Sequence, residues 1–307
     1  MLTPARLEAF DALMWVSNGH HAGRVTALSQ PTISRAAHQV STALGLHLRK
    51  VRGEWQASGD TLRLSRERLL HQASRLAGSA PTRLEAGALS SRLLAEPAPA
   101  GWVLGREDAI NLPRSRSLLQ ERVIDAWLCT SALDLPPDPD QTLAVMDLHR
   151  QPLRLVAGPS HPLVGERGLS VADLAPFPSV ALEGNWYPHS AARLLEHGLW
   201  SAPRRLSHHK SQHWEQSTAD GHTLAYASPW TLARNSALHP VDFDLGLDHA
   251  LALVVLRDLA DHPRIQELFE DLGRRVALLM EGGTGLSRIE LAEPARALAA
   301  AGERHIR

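Results

Sequence analysis

Residues 28–37 read Leu-Ser-Gln-Pro-Thr-Ile-Ser-Arg-Ala-Ala. Around them, Gln30, Thr32, Ser34, Arg35 and His38 offer amide, hydroxyl, guanidinium and imidazole groups, with no acid among them. Such groups can bond base edges and phosphates in a DNA major groove. They act together only if one element displays them on one side. Ser29 suits an N-cap and Pro31 suits the first helical turn. Ile33, Ala36, Ala37, Val40 and Leu44 recur at helical spacing, which predicts an amphipathic helix. Ser34, Arg35, His38, Gln39 and Thr42 fall on its opposite face. Alone, this helix is an ordinary surface helix, and its surroundings point further.

Thr3-Pro4 opens an earlier helix with an apolar stripe of Leu7, Phe10, Leu13 and Met14, and Asn18-Gly19 gives it a C-cap signal. A short second helix is expected over His20–Leu28, and the Ser29 helix then runs to Gly45. A helix, a short helix, a tight turn and a polar-faced helix form a helix-turn-helix pattern. Beyond Gly45, Arg49, Lys50 and Arg52 lead to a turn at Gly53, which predicts a short β-wing with a basic tip for phosphates.

Four strings carry a family likeness: Leu-Glu-Ala-Phe at 7–10, Ser-Gln-Pro-Thr-Ile-Ser-Arg at 29–35, Ala-Leu-Gly at 43–45 and Gln-Ala-Ser-Gly at 56–59. In these the chain resembles the LysR-type transcriptional regulators. The resemblance implies a winged helix-turn-helix, a long dimerising linker helix, and an α/β two-lobed effector domain like a periplasmic binding protein. The match is divergent. Leu48-Arg49-Lys50-Val51 stands where the family has Leu-Phe-x-Arg, the wing is about three residues short and the second helix about two short. The expected DNA contacts are Ser29, Gln30, Pro31, Thr32, Ser34, Arg35, His38, Arg49, Lys50 and Arg52.

Charge agrees. The 307-residue chain has net charge −1, yet residues 1–76 hold ten Lys/Arg against five Asp/Glu, a head of +5 on an acidic remainder. The single cysteine, Cys129, lies in an apolar run and reads as a packed thiol in a chain without disulfides. No signal peptide or apolar run of membrane-spanning length is evident, so the expected compartment is the cytoplasm and no membrane partner is expected.

Leu62, Leu69 and Leu76 are seven apart on a helix expected over 59–78, with Ala73 and Ala77 on the same face and Arg68, Gln72 and Arg75 elsewhere. An amphipathic helix packed on its own domain has the same spacing; the family resemblance implies a homodimer, or a dimer of dimers, on double-stranded DNA. Residues 1–60 form the expected DNA-binding domain, 61–82 the linker, 83–282 the effector domain and 283–307 a tail. In the effector domain, strands are expected at 89–95, 102–105, 123–129, 153–157, 179–182, 204–208, 223–227 and 250–256. Helices are expected at 115–121, 189–197, 212–219, 229–235 and 263–280. The first lobe looks trimmed, because Glu-Pro-Ala-Pro-Ala-Gly at 96–101 cannot be helical.

A ligand in an open α/β sheet sits beyond the carboxyl ends of strands, near helix N-termini. That rule selects Thr130, Ser131, Asn185, Trp186, His189, Ser190 and Ser228 and favours a small anionic effector. Caps and packing explain the same residue types without a ligand. Among 17 histidines, His209 and His213 are four apart with His208 and Glu215 nearby, but they straddle a turn, so no metal is expected. No nucleophile elbow, phosphate loop or dinucleotide fingerprint occurs, and Gly282–Gly285 follows a helix instead of preceding one. The sequence therefore points to an effector-responsive regulator that needs no cofactor and is not an enzyme. A degenerate α/β binding module that no longer reads DNA is the alternative.

Overall fold

Thr3 starts the first helix, α1 (Pro4–Val16): its hydroxyl accepts the Arg6 N–H and Pro4 fills the first turn. The computed structural model describes residues 2–51, 53–87, 90–106, 112–138, 140–181, 184–200, 203–205, 217–235 and 237–281. α1 ends at Ser17, whose φ of 52° reverses the chain. This frees Asn18 from the C-cap role and leaves it extended. It caps α2 (Gly19–Thr26) instead, accepting from the His20 and His21 N–H groups at 2.9 and 3.1 Å. The turn into α3 (Gln30–Leu44) is tight. Leu28 N–H donates to the Gly23 carbonyl at 3.0 Å, and a Cβ on residue 23 would strike the Leu28 carbonyl. Gly45, at φ +65°, ends α3. Strands β1 (His47–Val51) and β2 (Glu54–Ser58) pair antiparallel around Gly53, at φ +86°. This hairpin is the wing.

Helix α4 (Leu62–Leu76) follows, and strand β3 (Thr82–Glu85) begins at the end of the span expected as linker. Residues 90–95, where the pattern predicts a strand, are helix α5 (Ser90–Ala95). Ser91, Leu94 and Ala95 turn inward at helical spacing, and so short an apolar run does not separate the two periods. Strand β4 (Trp102–Leu104) completes a strand–helix–strand of small elements. Helix α6 (Leu112–Gln120), strand β5 (Ala126–Cys129) and a single 3-10 turn at Ala132–Asp134 come next.

The remaining strands are β6 (Leu143–Ala157), β7 (Ser179–Ala181), β8 (Pro203–Arg205), β9 (Ala225–Ala227) and β10 (His239–Leu256). The helices are α7 (Val171–Leu174), α8 (Pro188–Glu196), α9 (Pro229–Arg234) and α10 (Pro263–Glu281). β6 and β10 are far longer than the segments 153–157 and 250–256. They pair antiparallel from Leu143↔Leu256 to Ala157↔His239, with register shifts between Pro240 and Asp248 and at Leu251–Ala252. One sheet has the order β4-β3-β5-β10-β6-β9. β5 pairs with Ala252–Val254 at one end of the ribbon, and β9 pairs with Arg154–Val156 at the other. The ribbon thus joins a first lobe (β3, β4, β5, α6, α10) to a second (β7, β8, β9, α8).

Ile265, Leu268, Leu272 and Val276 of α10 pack with Leu251, Leu253 and Val255 on one face of the first-lobe sheet. Burying such a row contributes roughly 1.5–3 kcal/mol per side chain before entropy is counted. On the other face Trp127, Cys129 and Val254 join a core that continues into Phe10, Met14 and Trp15 of α1. Cys129 is fully buried, and burial pushes its thiol up to about 12, as a packed thiol requires. Among the described residues no helix is long and apolar enough to cross a membrane, and no cluster of three metal-ligating side chains occurs. His208, His209, His213, Glu215, the Gly282–Gly285 segment and residues 283–307 lie outside the described residues, as does most of the helix expected at 212–219.

Candidate nucleic-acid interface and interlobe cleft

α3 is anchored by one face and bare on the other. Ile33, Ala36, Ala37, Val40 and Leu44 are buried against α1 and α2. Ser29, Gln30, Pro31, Ser34, Arg35, His38, Gln39 and Thr42 are exposed, and Thr32 is half-buried. Ser29 Oγ accepts the Thr32 N–H and lies 2.8 Å from the Thr32 hydroxyl, so these two groups share a cap at the helix start. The free first-turn N–H groups and Arg35 place positive potential on one exposed surface.

The wing follows α3 in the chain. Arg49 and Lys50 are exposed on β1, and the Lys50 ammonium sits 5.9 Å above the Trp55 ring, which holds it near the hairpin tip. Arg52 lies outside the described residues. The Trp55 N–H donates to Ser17 Oγ at 3.2 Å, tying the wing to the end of α1.

α4 packs by its polar face. Arg68, Gln72 and Arg75 are buried, whereas Leu62, Leu69 and Leu70 are 58%, 46% and 68% exposed; only Leu76 of the expected seam is buried. The cause is a set of charged partners that helical periodicity does not reveal. Arg68 meets the fully buried Asp11 of α1 at 2.8 Å and Glu121 at 2.8 Å. Arg75 forks onto Asp125, with Nε to Oδ2 at 2.9 Å and Nη2 to Oδ1 at 2.8 Å. Gln72 Nε2 and the Arg83 N–H also donate to Asp125, at 3.0 and 2.8 Å. Arg83, on β3, reaches Glu8 at 2.7 Å and donates to the Val123 carbonyl at 2.7 Å. Burial would raise the Glu8 carboxyl, but the Arg83 charge and hydrogen bond outweigh it and hold the group below its ordinary value.

A second polar joint lies nearby. The Trp15 indole N–H donates to the Glu85 carboxyl, which burial pushes upward despite that bond. Arg114 of α6 donates to the Met14 carbonyl and pairs with Glu54 of the wing at 3.2 Å. The head of the chain is therefore bolted to the first lobe.

The expected ligand residues divide into groups. Thr130 and Ser131 follow β5 at its hinge end and are half-buried. Asn185 and His189 are exposed and Trp186 is half-buried, all at the start of α8. Ser228 is a buried cap: its hydroxyl accepts the Thr231 N–H at 3.2 Å, and it belongs to α9. Ser190 is already engaged. Its N–H donates to Asp134 Oδ1 at 2.9 Å and its hydroxyl donates to Oδ2 at 2.6 Å. Sequence reasoning missed Asp134, because nothing local marks an acid after β5 as the partner of a helix 56 residues on. Tyr187, which begins α8, is buried near Cys129 and Asp134, and burial raises its phenol.

The LysR substrate binding domain family matches residues 110–277, more than half of the chain. No curated protein sequence matches. Full-length OxyR from Pseudomonas aeruginosa is similar in structure at 14% identity and TM-score 0.54, covering 91% of this chain and 98% of that one. A full-length CbnR, solved in complex with its target DNA, is similar at 15% identity and TM-score 0.51, covering 90% of this chain and 99% of that one. At these identities the likeness is one of fold.

Proposed function

Because the chain belongs to the LysR substrate-binding domain family, we propose that it is a cytoplasmic, sequence-specific DNA-binding transcriptional regulator. The observation that carries this reading is the bare polar face of α3, acid-free and followed in the chain by a hairpin that exposes Arg49 and Lys50. Gln30, Thr32 and Arg35 read bases, Ser34 and His38 line the groove, and Arg49, Lys50 and Arg52 hold phosphates. The outward Leu62, Leu69 and Leu70 of α4 pair two copies, which places two α3 helices on successive half-sites. A small-molecule effector acting at the cleft would meet Thr130, Ser131, Asn185, Trp186 and His189 around Asp134.

Genome-wide recovery of DNA bound to the intact protein, against an Arg35→Ala control, tests this function. Discrete enriched sites lost in the control are expected. Absence of enrichment in both samples overturns it.

A further inference from the structure

Asp134 belongs to the first lobe, on the connection that leaves the hinge end of β5. Ser190 belongs to the second, in the first turn of α8, whose Arg193 and His197 side chains bond the Leu245 carbonyl of β10. The two hydrogen bonds from Ser190 to Asp134 therefore join the two lobes. They use both carboxylate oxygens, at 2.9 and 2.6 Å, and Asp134 is 2% exposed. Tyr187 provides no side-chain cap for α8, so the start of the nine-residue helix takes its acceptor from the other lobe. A carboxylate at a helix start gains from the free N–H groups and from the helix dipole. A free anion binding there would make the same contacts.

We infer that Asp134 is a tethered anion that clasps the two lobes, so that closure of the cleft is maintained by the chain itself. A free anion then gains nothing at this position unless it displaces Asp134. The inference rests on the two-lobed reading of the effector domain and not on DNA recognition.

The test uses the full chain without DNA. Amide hydrogen exchange over 188–196 and the radius of gyration by X-ray scattering are measured for the wild type, Asp134→Ala and Ser190→Ala, with and without formate. In Asp134→Ala, exchange of the Ser190 amide should accelerate on the order of tenfold, the loss of one charge-assisted hydrogen bond. The radius should grow, and formate should reverse both changes. Ser190→Ala should show a smaller change of the same sign, which keeps the test valid if Asp134→Ala does not fold. The wild type should ignore formate. Unchanged exchange in both variants overturns the clasp. Faster exchange with an unchanged radius also overturns it, by reducing Asp134 to a helix cap. A wild type that gains protection with formate overturns it as well. Failure of DNA recovery leaves every one of these readouts intact.

Discussion

Arg75 and Asp125 form a two-pronged ion pair in which neither side chain is exposed to solvent. The pair joins α4 to the segment entering β5. Moving both charges out of water costs several kcal/mol per ion, so the pair persists because every prong is met. Replacing Arg75 with Met leaves the Asp125 carboxylate with only Gln72 and the Arg83 N–H as donors. The expected loss is about 3–5 kcal/mol of unfolding free energy, read as a lower urea midpoint at constant slope. A loss below about 1 kcal/mol would show that the joint contributes little.

Arg35 and Lys50 should separate reading from holding. Arg35→Ala is expected to lower affinity for the preferred site by ~1–3 kcal/mol while leaving random DNA almost unaffected. Lys50→Ala should weaken both DNAs alike and flatten the salt slope by about one unit. Titrations of labelled duplexes at several salt concentrations measure both. Equal losses on both DNAs for Arg35→Ala would remove it from base recognition.

The leucines of α4 give a clean assembly test, because they are exposed in the single chain. Leu69→Asp and Leu70→Asp should change the melting of the monomer within about 0.5 kcal/mol. They should shift sedimentation from dimer to monomer. A dimer that persists in the double variant places the interface elsewhere.

Acid should weaken the hinge. His249, on β10 opposite Gln151, has its ring 6.3 Å from that of Trp230. Burial, and then the neighbouring His149, hold its imidazole down to about 4. The unfolded chain takes that proton near pH ~6.5, so between these values the unfolded state binds a proton that the folded state refuses. The contribution is therefore complete above about pH 6.5 and falls as pH drops towards about 4, by about 3 kcal/mol across the window. Urea midpoints near pH ~7 and pH ~5 should diverge in the wild type and converge in His249→Phe. Equal divergence in the variant would assign the acid loss to other groups.

Helix α3 was legible because its signals are local. Ser29 and Gly45 mark the ends of α3, and its apolar spacing named five of its six buried residues, Ser41 being the other. The alternation of strands and helices likewise pointed to an α/β architecture, and the family resemblance to two lobes. What stayed hidden depends on partners distant in sequence. The burial of Arg68, Gln72 and Arg75 was not legible because Asp11 and Asp125, which draw them inward, lie 57 and 50–53 residues away. β3 escaped notice because Thr-Arg-Leu-Glu looks like a surface segment until Glu8 and Trp15 are placed beside it. At the start of α8, the rule about strand ends picked Ser190 for a ligand but could not supply Asp134, the partner it has.

The bolts between α1 and β3 also bear on how such a protein can be rebuilt. Arg83 grips Glu8, and Glu85 receives Trp15, so the first sixty residues do not form a portable cassette. A chimera carrying this head on a foreign sensor would leave Asp11 in an apolar setting without Arg68. Exchange of parts by recombination would have to carry the whole span to β5, so here the unit of inheritance for the first sixty residues includes part of the first lobe.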